Sequence, residues 1–183
     1  MCIRDRLWAN VLRAVPNSKL LLKYFNHYSD PDLREHWQSR FQNKGINEDR
    51  LILQCNLHNR QSHLALYDQI DISLDPFPFN GATTTYEALI MGLPVVTLLG
   101  KHFVDRVAGS IVTHAGYPEF AVNTKEAYVE LAKSLAEDTD NLNKLRLSMR
   151  KNVHKSKLCD GEPYCRNLEK AFREIWTTWC KSN

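Results

Sequence analysis

Two rhythms of apolar residues alternate along this chain. Over 7–14 they fall at helical spacing, with Leu7, Val11 and Leu12 on one face. Over 19–25 they run together as Leu20, Leu21 and Leu22, predicting a strand buried on both sides. Val15-Pro16-Asn17-Ser18 is a turn between them. Asp30 and Pro31 then read as the cap and first residue of a helix that stops at Gly45. Leu51-Ile52-Leu53 is a short strand, Ser62 is placed to cap a helix through Leu66 and Tyr67, and 70–74 is the next strand. After position 94 the order repeats: strand 94–99, helix 104–114 ended by Gly116, and a brief strand at 120–122. Three helices follow, over 123–136, 141–153 and 167–179. Asn123 is expected to cap the first, with Glu126 at its third position. The last sets Leu168, Phe172, Ile175, Trp176 and Trp179 on one face.

Strands alternating with helices predict an α/β fold: a Rossmann-like parallel sheet with helices on both faces, as one domain over 1–183. Such sheets bind ligands at the carboxyl ends of their strands. The stretch Asp75-Pro76-Phe77-Pro78-Phe79-Asn80-Gly81-Ala82-Thr83-Thr84-Thr85 fits that place. Pro76 and Pro78 stiffen the loop, and Gly81 lets a ligand approach the backbone. Thr83, Thr84 and Thr85 open a helix that Gly92 and Pro94 end. The first helical N–H groups lack partners and the dipole is positive there, which suits a phosphate. Glu87 shares a face with Thr83 and Thr84, where its carboxylate could accept ribose hydroxyls. The same Thr84-x-x-Glu87 spacing is equally a capping box that needs no ligand.

Composition removes other classes. Hydrophobic residues make 43% of the 183 and charged residues 25%, ordinary for a globular protein. The net charge of +3 is scattered, without the basic stripe that nucleic acid requires. No run approaches the ~20 apolar residues of a membrane helix. Five cysteines without C-x-x-C pairs point to reduced thiols and a cytoplasmic protein. Seven histidines form no metal-binding motif, so no metal site is expected.

The run from Asp71 to Thr97 resembles the nucleotide-sugar motif of the protein O-GlcNAc transferases, a family that includes Spindly-type O-fucosyltransferases. The resemblance extends over about 7–179. Leu7-Trp8-Ala9-Asn10-Val11-Leu12-Arg13-Ala14-Val15-Pro16-Asn17-Ser18 resembles the family's helix and turn before a strand. Arg106-Val107-Ala108-Gly109-Ser110 resembles its "RVxxS" helix, and Ser156-Lys157-Leu158-Cys159-Asp160 its "SPLxD" segment. Residues 1–6 do not fit the pattern and are treated as a non-native or ragged edge.

The resemblance implies the C-terminal, donor-binding half of a GT-B glycosyltransferase. It implies that Asn80, Gly81, Ala82, Thr83, Thr84 and Thr85 hold a diphosphate, with Glu87 as the ribose ligand. Ala82 stands where some eukaryotic members have histidine. His58, Arg60 and His63 match a loop that contacts base and phosphates, with Arg60 suited to a charge-assisted fork. Leu66 replaces an arginine of some relatives. Lys101, His102 and Arg106 are weaker candidates, with Asp105 or a substrate phosphate as candidate partners of Arg106 and a structural ion pair as the expected one. The implied reaction moves a sugar from UDP-GlcNAc, or alternatively GDP-fucose, to a serine or threonine hydroxyl of a protein acceptor, without a further cofactor. No catalytic base is evident. The missing N-terminal catalytic half and TPR repeats of a longer enzyme are the expected partners. The alternatives are a non-catalytic nucleotide-sugar-binding or interaction domain, and a GT-B enzyme acting on glycans or lipids. The final helix, put at 164–181, needs a cover for its apolar face, either the N-terminal half or its own sheet.

Overall fold

A computed structural model describes residues 3–55 and 59–182. Helix α1 (Ile3–Ala14) buries Leu7, Trp8, Val11 and Leu12. Its first turn includes Asp5, which is fully buried and ion-paired with Arg40 and, at 3.5 Å, with Arg4. The guanidinium of Arg50 donates to the carbonyls of Leu12 at 2.7 Å, Val15 at 2.9 Å and Ser18 at 2.7 Å. It thereby satisfies acceptors that a helix end leaves over.

Strand β1 (Leu20–Lys23) pairs in parallel with β2 (Leu51–Gln54), Leu20 opposite Leu51 and Leu22 opposite Leu53. Helix α2 (Pro31–Gln42) connects them, and the Asp30 carboxylate caps it by accepting from the N–H groups of Asp32 and Leu33. Burial of β1 on both sides is corrected: Leu20 and Leu22 are buried, whereas Leu21 and Lys23 are half-buried on the other face. That open face lets the Lys23 side chain reach α3 (Arg60–Ala65).

Strands β3 (Ser73–Leu74), β4 (Val95–Leu98) and β5 (Ala121–Val122) form a second parallel group in the order β3-β4-β5. Helix α4 (Thr83–Ile90) links β3 to β4, and α5 (Val107–His114) links β4 to β5. Residues 103–105 form a separate 3-10 turn, so α5 starts later than its apolar spacing suggests. Three helices follow: α6 (Lys125–Glu137), α7 (Thr139–His154) and α8 (Gly161–Ser182).

Side chains of β4 alternate between two cores. Val96 and Leu98 pack with α1, α2, α6, β1 and β2, while Val95 packs with α4, α5 and α7. The sheet is thus covered on both faces, as the repeated strand–helix pattern predicts. α8 behaves differently. None of its residues is buried; Phe172 is 62% exposed, Ile175 65%, Trp176 63% and Trp179 57%. Packing of this face on the chain's own sheet, one of the two expected covers, does not occur.

Two expected caps move. Asn59, not Ser62, caps α3: Asn59 Oδ1 accepts from Ser62 N at 2.8 Å, and Ser62 Oγ returns toward Asn59. Thr124, not Asn123, caps α6, its hydroxyl accepting from Ala127 N at 3.1 Å. In each case the observed cap lies three residues before the amide it serves.

Candidate functional site

The loop after β3 is pinned from below. Asp75 follows the strand, and its N–H donates to the Val96 carbonyl at 2.9 Å. Its buried carboxylate accepts the Gly81 N–H at 2.7 Å through Oδ1 and the Thr97 hydroxyl at 2.7 Å through Oδ2. The Tyr128 hydroxyl donates to the Asp75 carbonyl at 3.1 Å. Burial pushes the Asp75 carboxyl up to about 7, against the lowering effect of its Gly81 and Thr97 bonds. Burial also pushes up the Tyr128 phenol.

Gly81 is required by closeness. A Cβ there would meet Thr84 Oγ1 at 2.6 Å, Thr85 Oγ1 at 3.0 Å and Asp75 Oδ1 at 3.3 Å. Asn80 is buried beside it. Its N–H donates to the Val104 carbonyl and its Nδ2 to the Pro76 carbonyl. Among the described residues its buried Oδ1 has no hydrogen-bond partner, an uncommon and costly state for a polar atom.

Helix α4 begins without a side-chain cap. Ala82 occupies the cap position and has no side-chain acceptor to offer. Thr85 is buried and turns its hydroxyl back to the Gly81 carbonyl at 3.0 Å. Thr83 and Thr84 are exposed. The capping box Thr84-x-x-Glu87 does not form, because Thr84 lies inside the helix and Glu87 faces elsewhere. The amides of Ala82, Thr83 and Thr84 therefore begin the helix with hydroxyls beside them and solvent in front. The Gly81 amide, by contrast, is already used by Asp75.

Glu87 meets His63. Glu87 Oε2 lies 3.1 Å from His63 Nε2, and Lys23 Nζ lies 3.2 Å from His63 Nδ1. Tyr67, in the turn after α3, sets its ring against His63 with centroids 5.5 Å apart and donates its hydroxyl to the Thr84 carbonyl at 3.4 Å. The Tyr67 phenol is pushed up to about 12, first by burial and then by the Glu87 charge. The end of β1 and the bodies of α3 and α4 thus converge on one cluster. Lys23 was not among the sequence candidates. The available signal was its place as the last residue of a strand whose carboxyl end faces the site.

The remaining candidates divide. Arg60 is exposed at the first position of α3. His58 lies outside the described residues. Leu66 is buried, so its position presents no side chain at the surface. Lys101 and His102 are exposed in the loop after β4. The expected ion pair of Arg106 is corrected: its guanidinium donates to the Gly100 carbonyl at 2.9 Å. The buried Asp105 carboxylate instead accepts the His102 N–H at 2.7 Å. The Gly100 carbonyl thus gives the Arg106 charge an acceptor at the start of α5, where the dipole disfavours a cation.

Comparison with known proteins extends this picture. The profile of glycosyl transferase family 41 matches residues 4–168. A Hordeum vulgare protein described as "Probable UDP-N-acetylglucosamine--peptide N-acetylglucosaminyltransferase SPINDLY" is 39% identical over 175 residues, covering 96% of this chain and 18% of that one. A Caenorhabditis elegans UDP-N-acetylglucosamine--peptide N-acetylglucosaminyltransferase is 29% identical over 170 residues, covering 93% of this chain and 14% of that one. The solved structure of a mutant Thermobaculum terrenum O-GlcNAc transferase superposes with a TM-score of 0.89 at 33% identity, covering 97% of this chain and 34% of that one. The chain therefore spans less than a fifth of the curated relatives named here and about a third of the solved one.

Proposed function

This chain belongs to glycosyl transferase family 41, and from that membership we propose that it is the donor-binding part of a protein O-GlcNAc transferase. The single observation that carries the proposal is the uncapped start of α4, with exposed Thr83 and Thr84 above a Gly81 loop anchored by Asp75. The amides of Ala82, Thr83 and Thr84 and the threonine hydroxyls take the diphosphate of UDP-GlcNAc, and Arg60 adds a charge-assisted fork. Glu87 takes the ribose, and His63 lies next to the base. As the glycosidic bond breaks, charge grows on the leaving diphosphate, and these donors stabilise it in place. No metal is called on for that charge.

A second part of the protein, preceding this one and carrying TPR repeats, supplies the base that accepts the proton of the serine or threonine hydroxyl. It also covers the apolar face of α8. No described helix is long and apolar enough to cross a membrane, and the proposed setting is the cytoplasm.

The test is calorimetric titration of the chain with UDP, GDP, UDP-GlcNAc and GDP-fucose, beside a Thr83→Ala/Thr84→Ala variant. UDP binding that the variant loses supports the proposal. GDP binding in its place moves the donor to GDP-fucose. Absence of binding both here and in the full-length protein makes this a non-catalytic member of the family.

A further inference from the structure

We propose that Lys23 is a positioning residue of the nucleotide site, holding the carboxylate of Glu87 in place for ribose by fixing the tautomer of His63. The proposal rests on the donor-site assignment above and adds to it a residue from a different strand group.

The argument is one of donors and acceptors. Lys23 Nζ lies 3.2 Å from His63 Nδ1, and Glu87 Oε2 lies 3.1 Å from His63 Nε2. An ammonium only donates and a carboxylate only accepts. Both contacts hold together only if the ring accepts at Nδ1 and donates at Nε2. His63 is then the singly protonated Nε2–H tautomer, with its proton directed at Glu87. The opposite tautomer would present a lone pair to the carboxylate and a proton to the ammonium. Lys23 therefore reinforces, from the other side of the ring, the form that binds Glu87.

The surroundings support a fixed geometry. The side chains of His63 and Glu87 are 20% and 17% exposed, so water competes weakly for either contact. The Tyr67 ring lies against His63, and its hydroxyl bonds the Thr84 carbonyl, limiting rotation of the imidazole. With Oε2 engaged by His63, Oε1 of Glu87 remains to accept ribose hydroxyls. Lys23 itself need not touch the ligand.

Long-range 1H–15N NMR of the His63 ring, recorded on the whole chain, tests the tautomer without any ligand. The Nε2–H form is expected in the wild type and in Lys23→Arg, which keeps a donor. Lys23→Met is expected to give a mixture of tautomers with an unchanged melting temperature. Nucleotide affinity supplies the second readout. Lys23→Met should weaken UDP, or GDP if that is the nucleotide bound, by about 5-fold, as for one lost hydrogen bond. Its effect on the 2′,3′-dideoxy nucleotide should stay below about 2-fold, because the carboxylate then has no hydroxyl to meet. An Nδ1–H ring in the wild type, or an unchanged ring in Lys23→Met, overturns the proposal. Equal losses for both nucleotides also overturn it, placing Lys23 on the phosphates. If neither nucleotide binds although the tautomer follows Lys23, the donor-site assignment itself fails and the ribose role falls with it.

Discussion

The N–H of Gly81 donates to the buried carboxylate of Asp75 at 2.7 Å, tying the glycine of the loop before α4 to the end of the strand that precedes it. That amide serves the fold and is closed to a ligand. The amides that follow it, on Ala82, Thr83 and Thr84, stand at the start of α4.

Asp75 makes stability depend on pH in an unusual direction for an aspartate. Burial raises its carboxyl from 3.8 to about 7. Between those values the folded chain keeps a proton that the unfolded chain has lost. The stabilisation from this residue is therefore fully present below about pH 4 and is lost as pH rises through about 7. Urea unfolding at pH 5 and pH 7.5 should show the wild type losing on the order of 2 kcal/mol relative to Asp75→Asn over that interval.

Gly81→Ala should harm binding more than folding. The new Cβ would meet Thr84 Oγ1 at 2.6 Å and the buried Thr85 Oγ1 at 3.0 Å. Thr84 is exposed and can turn, which limits the stability cost to about 1–2 kcal/mol. The turn moves a hydroxyl proposed for the diphosphate, and titration should show nucleotide affinity falling about tenfold or more.

Gly100→Ala should be among the more damaging changes. A Cβ at Gly100 would lie 2.1 Å from Asp105 Oδ2, so the buried carboxylate must leave. The His102 N–H would lose its acceptor with it. A loss of about 2–4 kcal/mol is expected in chemical denaturation. Adding Asp105→Ala should cost much less than its effect alone, because the displaced carboxylate has already lost its bond to His102.

Trp176→Glu with Trp179→Glu should leave the chain's melting temperature within about 2 °C, since neither ring is buried and surface changes cost roughly 0.5 kcal/mol or less. Binding of an apolar dye should fall. A melting temperature lowered by about 8 °C or more would show that these rings support the fold.

The order of strands and helices was legible because period-two and period-3.6 patterns are local. The loop between β3 and α4 was legible as a loop because its glycine, prolines and threonines each carry a backbone meaning of their own. The caps of α3 and α6 were misplaced because neighbouring residues, Asn59 and Ser62 or Asn123 and Thr124, all have oxygen-bearing side chains. Only the three-residue offset to a free amide separates them. Glu87 was expected beside Thr83 and Thr84, whereas its observed partner His63 lies 24 positions away and is supplied by the fold. Lys23 was invisible for the same reason, 40 positions from His63. The apolar stripe of α8 was plain in the sequence, whereas its cover was not, since a helix face says nothing about which surface meets it.

Among the described residues the hydrogen-bonded ladder is divided, β1 with β2 and β3 with β4 and β5. The Lys23–His63–Glu87 chain runs from the first group to the helix leaving the second. A nucleotide seated on Glu87 would act as a clasp across that division. Its binding energy would then be shared by both groups, so that neither could unravel without first releasing it.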